Sequence, residues 1–114
     1  MDIAKRRMFE LHAEICKTLS NPKRLEILDH LREGEKSVEE LTQLMGMSKS
    51  NLSQHLSILR QKRLVKTRRD GLNIIYSIGN PKILNACDIL KEVLLGNLTQ
   101  NQDLLSILQD EDDE

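Results

Sequence analysis

Residues Ser37–Ile78 read SVEELTQLMGMSKSNLSQHLSILRQKRLVKTRRDGLNIIYSI, and their spacing predicts two short helices joined by a tight turn. Ser37 and Glu40 match a helix capping box, in which the hydroxyl accepts from a free backbone N–H and the carboxylate reaches back. The apolar residues that follow recur at helical spacing: Val38, Leu41, Leu44 and Met45. Gly46 has the backbone freedom that the turn needs, and Ser48 is the next N-cap.

The second helix is predicted over Lys49–Arg63, and its two sides differ in character. Leucines stack on one side of a helical wheel drawn at about 100° per residue: Leu52, Leu56 and Leu59. Short polar side chains occupy the opposite side: Ser50, Ser53, Gln54, Ser57 and Gln61. Such groups can approach base edges closely, and Gln or Asn can form paired hydrogen bonds with adenine. This composition favours contact with DNA, and the alternative is a solvated face of unusual composition.

Positive charge is concentrated along the same stretch, although the chain as a whole is nearly neutral. Its 114 residues include 17 basic and 18 acidic side chains, for a net charge of −1. Seven basic residues, uninterrupted by Asp or Glu, occur between residues 49 and 69: Lys49, Arg60, Lys62, Arg63, Lys66, Arg68 and Arg69. Neutralising phosphates supplies much of the affinity of proteins for DNA, so this patch favours a DNA-binding function.

A basic β-hairpin is predicted to follow the second helix. Val65 and Thr67 alternate with basic residues, Asp70-Gly71 predicts a tight turn, and apolar residues alternate again on the return strand: Ile74, Tyr76 and Ile78. Three cations would then lie near the tip, where a wing meets the DNA backbone or minor groove: Lys66, Arg68 and Arg69. The alternative is an ordinary surface hairpin whose arginines aid solubility. The helices and hairpin together predict a winged helix-turn-helix that holds DNA in the major groove.

The segment from Leu19 to Pro81 resembles the arsenic-repressor (ArsR/SmtB) family of small prokaryotic repressors. The matching stretches are LSNPKRLEILDHL at Leu19–Leu31, the run Ser37–Gly71, and IIYSIGNP at Ile74–Pro81. They cover about half of the chain, and LSQHLSILRQKRLV is their most specific part. The resemblance implies a homodimer that represses its own operon and releases DNA when an effector binds.

The resemblance also implies that His55 lies beside the residues that face DNA. The helical wheel places His55 on the flank of the polar face, so a role in packing or phosphate contact is as open as base reading. The candidate DNA contacts are Ser48, Lys49, Ser50, Asn51, Ser53, Gln54, His55, Ser57, Lys66, Arg68 and Arg69.

The first and last helices are predicted to form a dimer interface. Residues Asp2–Leu19 place Met8, His12, Ile15 and Leu19 on one stripe with Leu11 at its edge, and a helix over Pro81–Leu95 aligns Ile83, Cys87, Leu90 and Leu94. A further apolar run follows Gly96: Leu104, Leu105, Ile107 and Leu108. A small winged core cannot cover all of these residues, and a soluble monomer rarely exposes such a patch. A two-fold dimer would cover it and would space two DNA-reading helices about one turn of DNA apart. The interface candidates are Met8, Leu11, Ile15, Ile83, Cys87, Leu90 and Leu94.

The predicted fold is mainly α with a small β-hairpin wing, in the order ααααββα, with a single domain over residues 1–109. The acidic residues 110–114 are expected to form a disordered tail. Charged residues interrupt any apolar run near the start, so no signal peptide is predicted, and no stretch is long enough for a transmembrane helix. We therefore expect a cytoplasmic protein whose partners are a double-stranded DNA operator and a second copy of the chain, with no membrane partner. The two cysteines do not imply a structural disulfide there.

No cofactor is predicted, because two metal-site patterns of the resembled family are incomplete here. One places a Cys-x-Cys pair in the first helix of the helix-turn-helix, where this chain has no thiol. The other places Asp and His on the last helix, where this chain offers Cys87 and Asp88 without a histidine. His12 and Cys16 are four residues apart, a spacing that can chelate a soft metal, and Cys87 could join them across a dimer. The alternative for these three candidates is packing, since buried Cys commonly serves as a small apolar residue.

The alternatives to a repressor without a metal or redox sensor are an enzyme, a sensing repressor and a protein-protein adaptor. An enzyme is not predicted, because the sequence has neither a nucleophile elbow nor a glycine-rich phosphate loop. A metal- or redox-sensing repressor would use Cys16 and Cys87, with His12. A winged-helix adaptor between proteins is the remaining alternative, and the basic polar helix face argues against it because adaptors tend to expose apolar anchors.

Overall fold

The computed structural model of the chain describes residues 2–98 and 106–110. Its helices are α1 (Ile3–Leu19), α2 (Pro22–Arg32), α3 (Val38–Met45), α4 (Lys49–Gln61) and α5 (Lys82–Leu98). Its strands are β1 (Lys36–Ser37), β2 (Val65–Asp70) and β3 (Asn73–Ile78). The mainly helical fold with a small antiparallel sheet is confirmed. None of the helices in the described ranges is both long and apolar enough to span a bilayer.

The chain forms two compact units, Met1–Pro81 and Lys82–Glu114. Residues 106–110 of the second unit are helical, so Asp110, predicted to begin the tail, lies in a helix. Residues 111–114 lie outside the described residues, as do Leu104 and Leu105 of the predicted apolar run. The single domain over residues 1–109 stays a prediction.

Side-chain caps explain where the helices of the first unit begin. The Asp2 carboxylate accepts from the Lys5 backbone N–H at 2.7 Å, and the Asn21 side chain caps α2, which starts with a proline. The capping box predicted at Ser37 and Glu40 is confirmed, because each side chain bonds the other's backbone N–H at 3.1 Å. These bonds satisfy N–H groups that have no partner within the helix.

The core of the first unit is aliphatic and is centred on α2, α3 and α4. Six side chains are less than 2% exposed: Ile27, Leu28, Leu41, Leu52, Leu56 and Leu59. The leucine stripe predicted on α4 is therefore confirmed. Leu44, which was grouped with the apolar face of α3, is instead 52% exposed, since it lies at the edge of a stripe centred on Leu41 and Met45.

The fourth helix ends earlier than predicted, at Gln61 rather than Arg63. Arg63 adopts a left-handed conformation, with φ at 60°, and its N–H bonds the Arg60 carbonyl at 2.9 Å. The Leu64 N–H reaches the Leu59 carbonyl at 3.0 Å, and both leucine side chains are buried. These bonds form a Schellman motif, which usually has glycine at the left-handed position. Because this position holds arginine and not glycine, the sequence did not indicate that the helix ends here.

The sheet has the antiparallel order β1-β3-β2, and the hairpin predicted after α4 is present. Its turn lies one residue later than predicted, because Asp70 pairs with Asn73 and leaves Gly71 and Leu72 as the loop. Gly71 has φ at 63°, as a two-residue hairpin turn of type II′ requires at its first position. The short strand β1 is an addition that the sequence did not predict.

The last helix also differs from its prediction at both ends. It begins at Lys82 instead of Pro81, and it continues through Gly96 to Leu98 instead of stopping at Leu95. A glycine inside a helix costs about 1 kcal/mol relative to alanine, which neighbouring favourable residues can offset.

Candidate nucleic-acid interface

The polar side of α4 is an exposed surface directly opposite the buried leucines. Every polar candidate on this side is exposed: Ser50, Asn51, Ser53, Gln54 and Ser57. Ser48 and Lys49 are exposed at the start of the helix, where the Ser48 hydroxyl accepts from the Asn51 N–H at 3.1 Å. The helix therefore presents short hydrogen-bonding groups to solvent, while three leucines on its other side pack in the core.

The turn before α4 positions it against α3. Gly46 has φ at 62°, and both its N–H and that of Met47 point back to the Thr42 carbonyl. A residue with a Cβ would be strained in this conformation. The prediction of a glycine turn between the two helices of a helix-turn-helix is confirmed.

His55 lies on the flank of α4 and is half-buried. Its Nδ1 accepts from the Arg24 Nε at 3.3 Å, so one edge of the ring faces α2. Burial in the first place, and the charge of Arg24 in the second, lower the pKa of His55 below the usual range of histidine. Of the predicted DNA contacts on α4, His55 thus has a partner inside the fold, which favours the packing role left open by the sequence.

The basic residues of the wing do not share one surface. Arg68 pairs across the hairpin with Ile75 and Arg69 with Ile74, so the two arginines project to opposite faces. Arg68 forms a two-bond ion pair with Glu35, with its Nε at 3.0 Å and its Nη2 at 2.6 Å from the carboxylate oxygens. The hydrogen bond from Arg68 lowers the pKa of the Glu35 carboxyl. Glu35 is a residue that the sequence analysis missed, since it lies 33 positions from its partner.

The basic patch is therefore only partly available to phosphates. Arg68 is paired with Glu35, and Lys62 is paired with Glu14 at 3.2 Å. Within residues 2–98 and 106–110, the other five cations of the patch form no ion pair and are exposed: Lys49, Arg60, Arg63, Lys66 and Arg69. Lys49 lies at the start of α4, and Lys66 and Arg69 lie on the wing.

The first and last helices, α1 and α5, expose apolar side chains, as the sequence predicts. Met8 and Leu11 of α1 are 65% and 40% exposed, and Leu90 and Leu94 of α5 are 63% and 54% exposed. The other interface candidates are half-buried: Ile15, Ile83 and Cys87. Further exposed residues were not singled out, although the helical wheel could have found them: Phe9, Ile89 and Val93.

The candidate metal ligands are not gathered into a site by either unit alone. His12 and Cys16 are exposed on α1, and Cys87 is half-buried on α5. Across the described part of the chain, no group of three or more His, Cys, Asp or Glu side chains has the geometry of a metal site. The three residues stay candidates from sequence.

The helix-turn-helix, the polar face of its second helix and the basic hairpin define a winged helix-turn-helix DNA-binding domain. Residues 21–67 match the family described as bacterial regulatory protein, arsR family. An uncharacterised HTH-type transcriptional regulator of Mycobacterium tuberculosis, Rv0081, is 40% identical over 104 residues, covering 90% of this chain and 89% of the relative. The chain therefore belongs to the arsR family of bacterial regulatory proteins. It is a DNA-binding transcriptional regulator and not an enzyme.

Solved structures agree with this assignment. The crystal structure of Rv0081 has a TM-score of 0.77 and 41% identity, and the match covers 82% of this chain and 95% of that one. The homodimeric winged helix-turn-helix domain Mb0332 of Mycobacterium bovis matches with a TM-score of 0.75 and 30% identity, covering 82% and 87% of the two chains. The transcriptional repressor BigR of Xylella fastidiosa matches with a TM-score of 0.68 and 38% identity, covering 79% and 91%.

Proposed function

We propose that the protein is a homodimeric repressor that binds an imperfectly palindromic operator and is released by an effector. The observation that carries the proposal is the exposed row of serine, asparagine and glutamine side chains on α4, backed by leucines with no exposed surface. In this proposal α4 enters the major groove and the wing contacts the flanking backbone or minor groove. Because such a repressor acts on the chromosome, we expect the protein to be in the cytoplasm.

The dimer in this proposal forms through α1 and α5. Each helix carries apolar side chains that are more than half exposed, and contiguous patches of this kind commonly mark association surfaces. The homodimeric state of the Mb0332 domain and the repressor function in the name of BigR support the same assignment. A two-fold axis between two copies would present the two α4 helices to successive major grooves.

The proposal is tested by selecting duplexes from a random pool with the full-length protein. We expect an enriched site with two related half-sites whose centres lie about 10 base pairs, or a multiple of that, apart. Affinity for the selected duplex should fall steeply as salt rises, because bound phosphates release counterions. A protein-protein adaptor would enrich no sequence and would show no steep salt dependence, and that result would contradict the proposal.

Gln54→Ala is expected to cost about 1–3 kcal/mol of binding free energy at one base position of the selected site. Gln54 is exposed in the middle of the polar face, where its amide can form two hydrogen bonds with a base edge. Gln43→Ala is the matched control, since Gln43 is an exposed glutamine on α3 and is not part of the polar side of α4. The affinities of the wild type and of Gln54→Ala are measured for every single-base variant of the site. The base preference of Gln54→Ala should differ from that of the wild type at one position. An equal loss of affinity for all sequences would show that Gln54 contacts the DNA backbone instead of a base.

Arg69→Ala is expected to weaken binding to all duplexes and to reduce the salt slope by about one per wing. Arg68→Ala should have a smaller effect, because the Glu35 carboxylate beside that guanidinium offsets part of its charge. Glu35→Gln should raise affinity, since it removes a negative charge and leaves Arg68 free to meet a phosphate. The measurement is the affinity of the three variants for duplex DNA as a function of salt concentration. Equal slopes for the two arginine variants would contradict the separation of the two wing faces.

A further inference from the structure

Arg24 joins three helices through one side chain. It lies on α2, and its Nε donates to Nδ1 of His55 on α4 at 3.3 Å. Its Nη1 donates to the backbone carbonyl of Thr18 in the last turn of α1 at 3.1 Å. Thr18 is only 5% exposed, and its hydroxyl donates to the Glu14 carbonyl at 2.9 Å, so this end of α1 is itself held in place. Arg24 therefore ties α1 to the middle of the DNA-facing helix.

The bond to His55 exists in only one state of the imidazole. A guanidinium can donate but cannot accept, so the Nδ1 atom of His55 must carry a lone pair and the ring proton must sit on Nε2. A protonated ring carries hydrogens on both nitrogens and could not accept from Arg24. It would also place a second positive charge beside the guanidinium. The bridge is thus conditional on neutral His55.

We propose that Arg24 is a positioning residue for DNA binding, which holds α4 against α1 in the DNA-competent arrangement only while His55 is neutral. The inference rests on the proposed DNA-binding function and concerns the regulation of that same surface. His55 directly follows Gln54 on α4, so a shift of the histidine changes the outward direction of the neighbouring polar face. Arg24 itself is half-buried behind that face and is not among the exposed candidates for DNA contact.

A second contact between α1 and α4 is weaker. Lys62 pairs with Glu14 at 3.2 Å near the end of α4, but these side chains are 33% and 48% exposed. Exposed ion pairs of this kind contribute little to stability, because water competes for both charges. The Arg24 bridge is partly buried and uses two donors of a planar group in a fixed geometry. Lysine at this position would supply one point charge and could not reproduce both bonds in that geometry.

The surroundings of His55 set the direction of its response to pH. Arg24 of α2 is the charged group whose field acts on the ring, α1 contributes the Thr18 carbonyl behind Arg24, and Glu14 and Lys62 pair with each other. Burial and the Arg24 charge lower the pKa of His55 in the folded protein, whereas the unfolded value is about 6.5. The neutral ring therefore stabilises the fold fully above about pH 6.5, and this stability is lost as the pH falls from there through the lowered pKa.

Operator affinity is expected to fall over the same interval. This direction opposes simple electrostatics, because an added positive charge near DNA would raise affinity as the pH falls. Binding of the selected duplex is therefore measured from pH 7.5 to pH 5.5 for the wild type and for two variants. Arg24→Lys keeps the charge but should lower affinity roughly 3- to 10-fold at neutral pH. His55→Asn places a non-titrating acceptor near the position of Nδ1, so its own affinity at pH 7.5, whatever that value is, should show no decline toward low pH.

His30→Asn is the matched control, because His30 lies in the last turn of α2 and belongs neither to the polar side of α4 nor to the apolar stripes of α1 and α5. It should keep the pH response of the wild type. Thermal unfolding of each variant shows whether the fold is retained. His55→Asn keeps the inference testable if Arg24→Lys does not fold.

A measurement on the free protein separates this inference from the proposed function. The ring ¹⁵N shifts of His55 should show the proton on Nε2 in the wild type and a mixture of tautomers in Arg24→Lys. A proton on Nδ1 in the wild type would overturn the bridge whether or not DNA binds. If the wild type binds the duplex and Arg24→Lys has the same affinity and pH profile, the positioning role alone is overturned. Failure of the wild type to bind any duplex, with the Nε2 tautomer present, would overturn the proposed function and leave the bridge standing.

Discussion

Leu90→Asp is expected to convert the dimer to monomers and to lower operator affinity by a factor on the order of 100, because the two half-sites would then bind separately. Leu90 is 63% exposed on α5 and is flanked by Ile89, Val93 and Leu94, which are all more than half exposed. A carboxylate buried in such an interface without a partner is strongly unfavourable. The measurement is the molar mass in solution by light scattering, combined with titration of the selected duplex.

Asn85→Asp provides the matched control for this prediction. It adds the same charge to the same helix at an exposed position on the side away from Leu90. The control should remain dimeric and bind the operator normally. A folded Leu90→Asp protein that stays dimeric would show that α5 does not form the interface.

Gly79→Ala is expected to lower the free energy of unfolding by about 3 kcal/mol. A Cβ at residue 79 would overlap the carbonyl oxygen of Arg63 and would lie 3.1 Å from the carbonyl carbon of Leu64. Both neighbours are backbone atoms of the segment that closes α4, and the Gly79 N–H donates to the Leu64 carbonyl at 2.9 Å. The two segments cannot move apart without losing this bond, so the clash has no easy relief.

Gly96→Ala tests the same substitution where space is available. Among the described residues, a Cβ at residue 96 would meet no atom within 4 Å outside its own stretch of helix, and the residue lies inside α5. This variant should be more stable than the wild type by about 0.5–1 kcal/mol, since alanine favours the helix over glycine. Urea unfolding of both variants gives the comparison. Equal stability of Gly79→Ala and the wild type would mean that the close approach at Arg63 does not constrain the fold.

Local signals in the sequence account for most of the helix-turn-helix. The capping box at Ser37 and Glu40, the left-handed turn at Gly46 and the leucine stripe of α4 were all predicted correctly. Each depends on residues no more than one or two helical turns apart, so the pattern that specifies the element is visible within the element. The exposed polar face opposite the leucines follows from the same periodicity.

The errors occurred where a local rule has an exception. Arg63 occupies the left-handed position that glycine usually takes, so the end of α4 was placed two residues too late. The wing turn was assigned to Asp70-Gly71, although cross-strand pairing leaves Gly71 and Leu72 as the loop. The capping bonds of the α4 end outweigh the conformational preference of Arg63, and the cross-strand register sets the position of the wing turn.

The sequence determined the class of this protein, because helical and strand periodicity, turn residues and clustered positive charge are local properties that a linear pattern records. Only the tertiary structure decided which charges are paired and which residue His55 contacts. Glu35 meets Arg68 across 33 positions, and Arg24 meets His55 across 31 positions. Such pairs form when packing of the helices brings distant segments together, and a single sequence carries no signal of that approach. The physical reason is that hydrophobic burial fixes the helices, while the polar contacts between them depend on the distances that result.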